Sequence, residues 1–192
     1  MVNNLVITIL GEPGSGKGTQ AKRIAKKFKL AHIETGDLIR RYIKTDPKAK
    51  AKYEQGRLQP NKIVTKLIEK EIAKLKLKRF ILDPFPLNLA QIEFLFSMVQ
   101  KHQLAKPILI YLKVNKKIAL QRIIRRKDKR QDDQYNIAKK RIDDYSKSLK
   151  KVMSAVDDRF SVIKIDGNPG VVEVAKDIAL KLTKLLSRFT TK

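Results

Sequence analysis

The chain has 192 residues, 42% of them hydrophobic, which suits one domain with a sizeable core and room for small inserted lobes. It contains no cysteine, which excludes a disulfide framework and a thiolate metal site, and no apolar run reaches the length of a membrane span. Lys and Arg number 44 against 19 Asp and Glu, a net charge of +25; the excess is scattered lysine, which reads as solvated helix faces in preference to a dedicated nucleic-acid surface.

The apolar run 5–10 reads as a buried strand, and it enters the glycine-rich loop Gly11-Glu12-Pro13-Gly14-Ser15-Gly16-Lys17-Gly18-Thr19 directly. No secretory leader fits that arrangement, so a cytoplasmic location is expected. A helix starts near Lys17 with its core stripe at Ala21, Ile24, Ala25 and Phe28. A short strand over 31–33 precedes Glu34-Thr35-Gly36-Asp37, and residues 38–60 read as short helices of an inserted lobe, broken at Thr45-Asp46-Pro47. From Asn61 a helix carries Val64, Leu67, Ile68, Ile72 and Leu75. Residues 80–83 form a strand ending in Asp83, and Pro84-Phe85-Pro86 predicts an extended turn. A helix over 91–99, a strand over 107–114 and an Asn115-capped helix to Arg126 follow. A charged turn at 127–129 leads to a long helix opened by Asp132 and Asp133, with Arg141 on its exposed face. A strand over 160–165, the turn 166–170 and a helix through Val174, Ile178, Leu182 and Leu185 close the chain. Strands alternating with helices predict an α/β fold, a doubly wound five-stranded parallel sheet with ligands at the strands' C-terminal ends.

The loop at 11–19 carries the first chemistry. Strand, glycine turn and helix in that order make a phosphate-binding loop: the glycines let successive N–H groups face one concavity, and the helix N-terminus adds positive charge. Lys17 would stand at the outer phosphates of a nucleotide. Gly18 occupies the place where the simplest pattern puts a metal-contacting hydroxyl, and Thr19 comes one residue later.

Four segments recur in a fixed order: 11–20 (Gly-Glu-Pro-Gly-Ser-Gly-Lys-Gly-Thr-Gln), 32–40 (His-Ile-Glu-Thr-Gly-Asp-Leu-Ile-Arg), 83–91 (Asp-Pro-Phe-Pro-Leu-Asn-Leu-Ala-Gln) and 130–134 (Arg-Gln-Asp-Asp-Gln). Together they resemble the adenylate kinases of the nucleoside monophosphate kinase family, short-lid type, over essentially the whole chain. The resemblance implies a single P-loop kinase domain over 1–192, with a monophosphate-binding lobe at 34–63 and a short lid at 126–134. It implies Mg²⁺-dependent transfer of the γ-phosphoryl group of ATP to AMP by a monomer, chemistry that mainly needs positive charge, alignment and exclusion of water. Gly14, Ser15, Gly16, Lys17, Gly18 and Thr19 would cradle the donor phosphates. Arg122, Arg126, Arg130 and Arg141 would close over the phosphates of both nucleotides, since a guanidinium binds phosphate oxygens bidentately.

On the same resemblance, Asp83 would hold Mg²⁺ through water, although a strand-end carboxylate capping the next turn would look alike. Asn168 falls where the chain would pass the donor adenine, and a plain glycine turn would look the same. Asp132 and Asp133 complement a helix dipole on any reading. For the acceptor, Thr35, Arg40, the Arg57-Leu58-Gln59 stretch and Gln91 fall on monophosphate-site positions, and the Gln91 amide suits an adenine edge. With no cysteine and no long lid insertion, no structural zinc is expected.

Two positions depart from the family pattern. Pro84 replaces a glycine and Leu87 an arginine that would bind the acceptor's phosphate. Three outcomes stay open: compensation by Arg40, Arg41 or Arg57; a weakly bound acceptor; or a different acceptor. The alternatives to an adenylate kinase are a kinase for another nucleoside monophosphate, or a nucleotide-binding ATPase of weakened catalysis with nucleic-acid affinity.

Overall fold

The computed structural model describes residues 4–54, 59–75, 78–125, 135–156 and 158–190. Five parallel strands form one sheet in the order β2-β3-β1-β4-β5: β1 is Leu5–Gly11, β2 Ala31–Glu34, β3 Arg79–Asp83, β4 Ile108–Lys113 and β5 Ser161–Asp166. All seven residues of β1 are buried, as expected of a central strand covered on both faces. Its register runs Leu5↔Arg79 to Thr8↔Leu82 against β3 and Ile7↔Ile108 to Gly11↔Leu112 against β4.

Alternation along β1 divides the core in two. Leu5, Ile7 and Ile9 share one apolar cluster with Ala21, Ile24 and Ala25 of α1 (Lys17–Phe28) and Val174, Ile178 and Leu182 of α8 (Val171–Thr190). Val6 and Leu10 face the opposite way, into a cluster with α4 (Asn61–Leu75), α5 (Leu89–Lys101) and α7 (Tyr135–Ala155). Burial near this density on both faces is what makes the sheet hold its shape and fix the positions of its strand ends.

Between β2 and β3 come α2 (Thr35–Ile43), α3 (Pro47–Glu54) and α4; α2 packs against the other two. The break at 45–47 is the start of α3. Asp46 caps it, accepting a hydrogen bond from Ala49 N at 3.0 Å, and Pro47 takes the first helical position, where a missing N–H costs nothing. α4 buries Val64, Ile68 and Ile72 in the sheet's core.

Several boundaries differ from the sequence expectation by one or two residues. β4 and β5 run 108–113 and 161–166, because Pro107 has no N–H for the ladder and contributes only its carbonyl, which accepts from Ser161 N. α5 begins two residues early, since the Asn88 side chain caps it by accepting from Gln91 N. Asn115 caps α6 (Lys116–Ile124) as the sequence predicts, accepting from Lys117 N at 2.8 Å. The 84–86 segment contains cis bonds at Asp83–Pro84 and Phe85–Pro86. The predicted lid, 126–134, with Asp132 and Asp133, lies outside the described residues.

Candidate functional site

The C-terminal ends of β1, β2 and β3 open into one cavity of about 810 Å³, where a doubly wound sheet binds its ligands. The 11–19 loop forms its floor. Gly14 has φ 82° and lies against α6: a Cβ there would stand 2.2 Å from the carbonyl oxygen of Ala119. Gly16 has φ 89° and caps α1 without any side-chain hydrogen bond, so the orphan N–H groups of the helix start meet no side-chain acceptor at the cap. No acidic residue sits in that first turn. Lys17 Nζ donates to Glu12 O at 3.4 Å and lies 5.9 Å from the centroid of the Tyr145 ring. Ser15 Oγ and Glu12 Oε2 are buried with no hydrogen-bond partner among the described residues. This is a cradle shaped for an anion.

Gly18 now has a physical reason. A Cβ at that position would stand 3.3 Å from Asp83 Oδ2, so glycine lets α1 press against the end of β3. Asp83 itself is 2% exposed and lines the cavity beside the loop. Its other neighbour is His32, whose Nε2 is 3.4 Å from Oδ2. Across the sheet Asp83 is the register partner of Glu34, which also lines the cavity. Thr19 is exposed and lines the same space.

At the far side of the loop, the turn after β5 is held by Arg122. Its guanidinium donates to the carbonyls of Gly167 at 2.7 Å, Asn168 at 2.9 Å and Pro169 at 3.1 Å. Asn168 Oδ1 in turn accepts from Asn115 N, and Asn168 N and Nδ2 both donate to Asp166 Oδ1. Gln20 Nε2 ties α1 to the same region through Val171 O at 2.9 Å. Arg122 therefore lines the cavity while fixing the 167–169 turn, a role its expected place over the phosphates did not include.

The opposite end is built from α2, α4 and the start of α5. Thr35 opens α2, with its hydroxyl buried and without a hydrogen-bond partner among the described residues. Arg40 donates to Glu34 Oε1 at 2.8 Å and also to Asp37. Burial works against its charge, but hydrogen bonds to Tyr53, Asp37 and Glu34 hold the guanidinium above its ordinary pKa. Buried Gln59 donates to Ala49 O at 3.1 Å, leaving its Oε1 without a partner among the described residues. Leu87 is 8% exposed and Pro84 partly so; both line the cavity.

Gln91 lines the cavity at the start of α5. Its Oε1 accepts from Leu87 N at 2.7 Å and its Nε2 donates to Asn61 Oδ1 at 3.0 Å. Asn88 Nδ2 donates to the same Asn61 oxygen at 2.7 Å. Both ends of the amide expected to meet a base edge are thus engaged with protein groups. Arg57, Leu58, Arg126 and Arg130, and the side chain of Arg141, lie outside the described residues.

A phosphate cradle, a second polar end with its own guanidinium, and one cavity joining them describe a site for two anionic ligands. The family model described as adenylate kinase matches residues 9–160. The chain belongs to the adenylate kinase family. It is therefore a phosphotransferase of the nucleoside monophosphate kinase class. Among similar proteins, an adenylate kinase of Xanthomonas campestris pv. campestris is 32% identical over 92% of this chain and 98% of its own. One from Caldanaerobacter subterraneus subsp. tengcongensis is 29% identical over 90% of this chain and 93% of its own. One from Rickettsia bellii is 41% identical over 64% of this chain and 58% of its own. The adenylate kinase fold explains why the loop, Asp83, Arg40 and Gln91, which span 80 positions of sequence, meet at one sheet end. Sequence reasoning missed Glu34, Tyr53, Asn61 and Asn88 as cavity residues. Asn88 had a readable signal, a side-chain cap before an apolar helical run; the other three declare themselves only through tertiary contact.

Proposed function

We propose that this cleft transfers the γ-phosphoryl group of ATP to AMP, working as a monomeric adenylate kinase in the cytoplasm. The observation that carries the reading is the continuity of the cavity: the 13–19 loop and the Arg40–Gln91 end line one space, so a donor and an acceptor would meet between them. In this reading Gly14 to Thr19 hold the donor phosphates through backbone N–H groups, and Lys17 follows the charge of the transferring group. The 167–169 turn, braced by Arg122, borders the donor's base. Arg40 receives the acceptor's phosphate.

Mg²⁺ fits the residues present. Among the described residues no group of three or more His, Cys, Asp or Glu is arranged to hold a metal ion, and Mg²⁺ is commonly held by one or two carboxylates together with substrate phosphates. Asp83, buried at the cavity wall beside Gly18, is the carboxylate that would hold it through water. When bound, the ion supplies neutralisation of phosphate charge. Among the described residues no helix is long and apolar enough to cross a membrane.

A specific observation favours a second reading, a kinase for another nucleoside monophosphate: the Gln91 amide, which would read the base, already accepts from Leu87 N and donates to Asn61 Oδ1. Product analysis tests the first reading. With Mg²⁺, ATP and AMP, it expects ADP as the sole product from both nucleotides; loss of ATP with AMP untouched contradicts it.

A further inference from the structure

Three side-chain amides line the cavity where the start of α4 meets the start of α5: Asn61, Asn88 and Gln91. The two ends of an amide have nearly the same shape, so its partners decide which end is the acceptor. Here two backbone N–H groups, which can only donate, make that decision. Leu87 N donates to the Gln91 side chain at 2.7 Å, so the atom it meets is Oε1 and Nε2 is left for another partner. Gln91 N donates to the Asn88 side chain at 3.0 Å, so that atom is Oδ1 and Nδ2 is likewise left over. Both remaining NH₂ groups arrive at one atom. Asn61 Oδ1 accepts from Gln91 Nε2 at 3.0 Å and from Asn88 Nδ2 at 2.7 Å, which fills the two lone pairs of a carbonyl oxygen.

These bonds use one lone pair of Gln91 Oε1 and one hydrogen of Nε2, and leave one acceptor and one donor in a fixed order. Turning the amide over would set Nε2 against the Leu87 N–H and Oε1 against Asn61 Oδ1, donor on donor and acceptor on acceptor. At a residue only 4% exposed, water cannot repair that mismatch. We propose that Asn61 is a specificity-determining positioning residue, which holds Gln91 in the orientation that suits a 6-amino purine and rejects a 6-oxo purine. Adenine presents an amino donor beside the N1 acceptor, whereas hypoxanthine and guanine present a carbonyl oxygen beside an N1–H. A free amide serves either edge by turning over. The held amide meets the 6-oxo edge with oxygen against oxygen and N–H against N–H, and leaves buried polar groups unpaired. The three amides touch none of the groups assigned to the phosphates, so the effect is confined to the choice of base.

This inference rests on the reading that the acceptor is AMP with its base at Gln91. AMP and IMP test it, because they share sugar and phosphate and differ only at the 6-position and N1. Wild type should prefer AMP to IMP by roughly a hundredfold or more in kcat/KM. Asn61→Leu, of nearly the same shape but without an acceptor, and Asn61→Ala should each reduce that preference roughly tenfold, in kcat/KM and in calorimetric Kd alike. Asn61→Asp keeps the acceptor oxygen and should keep the preference; its added charge acts on both nucleotides and cancels in the ratio. A merely structural role would weaken AMP and IMP together and leave the ratio where it was. An AMP-to-IMP ratio unmoved in the Leu and Ala variants therefore overturns the inference, and so does a ratio that falls as far in Asn61→Asp. Equal use of the two nucleotides by wild type overturns it without any variant. If folded wild type turns over neither AMP nor IMP, the acceptor reading itself fails and the inference falls with it.

Discussion

Replacing Leu87 with arginine is expected to raise kcat/KM for AMP. Leu87 lines the acceptor end of the cavity, and its backbone N–H is anchored by Gln91 Oε1 at 2.7 Å, so the substitution changes the side chain without releasing the main chain. A guanidinium reaching the acceptor's phosphate would add a charge-assisted contact worth about 1.5–3 kcal/mol, or roughly 10–150-fold in kcat/KM. Stability moves the other way. Leu87 is 8% exposed and belongs to the same apolar cluster as Phe85, Ile92 and Leu95. The arginine stem can keep part of that packing, so the loss should be about 1–3 kcal/mol, a fall in Tm of roughly 2–4 °C per kcal/mol for a domain of this size. A coupled ADP assay at 25 °C, beside circular-dichroism melts, separates the two effects. A folded Leu87→Arg protein with unchanged or lower kcat/KM for AMP would refute the reasoning.

Other substitutions probe the donor end. Lys17→Ala should lower turnover by roughly 10²–10³-fold or more while leaving the melt close to wild type, because Lys17 is half-buried at the cavity and its hydrogen bond to Glu12 O is long, at 3.4 Å; steady turnover by this variant contradicts the role given to the ammonium. Gly14→Ala should destabilise the fold by about 3 kcal/mol or more, combining a left-handed φ of 82° with a Cβ 2.2 Å from a backbone carbonyl of α6. Urea unfolding measures it, and a loss below about 1 kcal/mol would mean that the loop relaxes freely away from Ala119.

The sheet was legible because its strands are buried on both faces. Runs such as 5–10 and 80–83 carry no polar interruption beyond Thr8 and the closing Asp83, and each is followed by a turn or helix signal. The phosphate loop was legible for a different reason: Gly14 and Gly16 are demanded by backbone conformation and by close approach to α6, which a local pattern records. The acceptor end was less legible. The sequence placed the Gln91 amide at a base edge and did not show its protein partners, Leu87 N and Asn61, which are set by how α4 meets the start of α5. The same holds for Arg40. Its position fitted a phosphate ligand, and nothing local in the chain declared that Glu34 would hold it at 2.8 Å. Arg122 was expected over phosphates, and the distance between residues 122 and 167 hid its three carbonyl contacts.

The central claim is that one cavity joins an ATP site to an acceptor site for AMP. The measurement that tests it most directly is the initial rate of ADP formation from Mg²⁺ and ATP with AMP, GMP, CMP and UMP in turn, against a control without acceptor. The account predicts turnover that requires an acceptor and is fastest, by kcat/KM, with AMP. A rate of ATP loss that is the same with and without every monophosphate would contradict it.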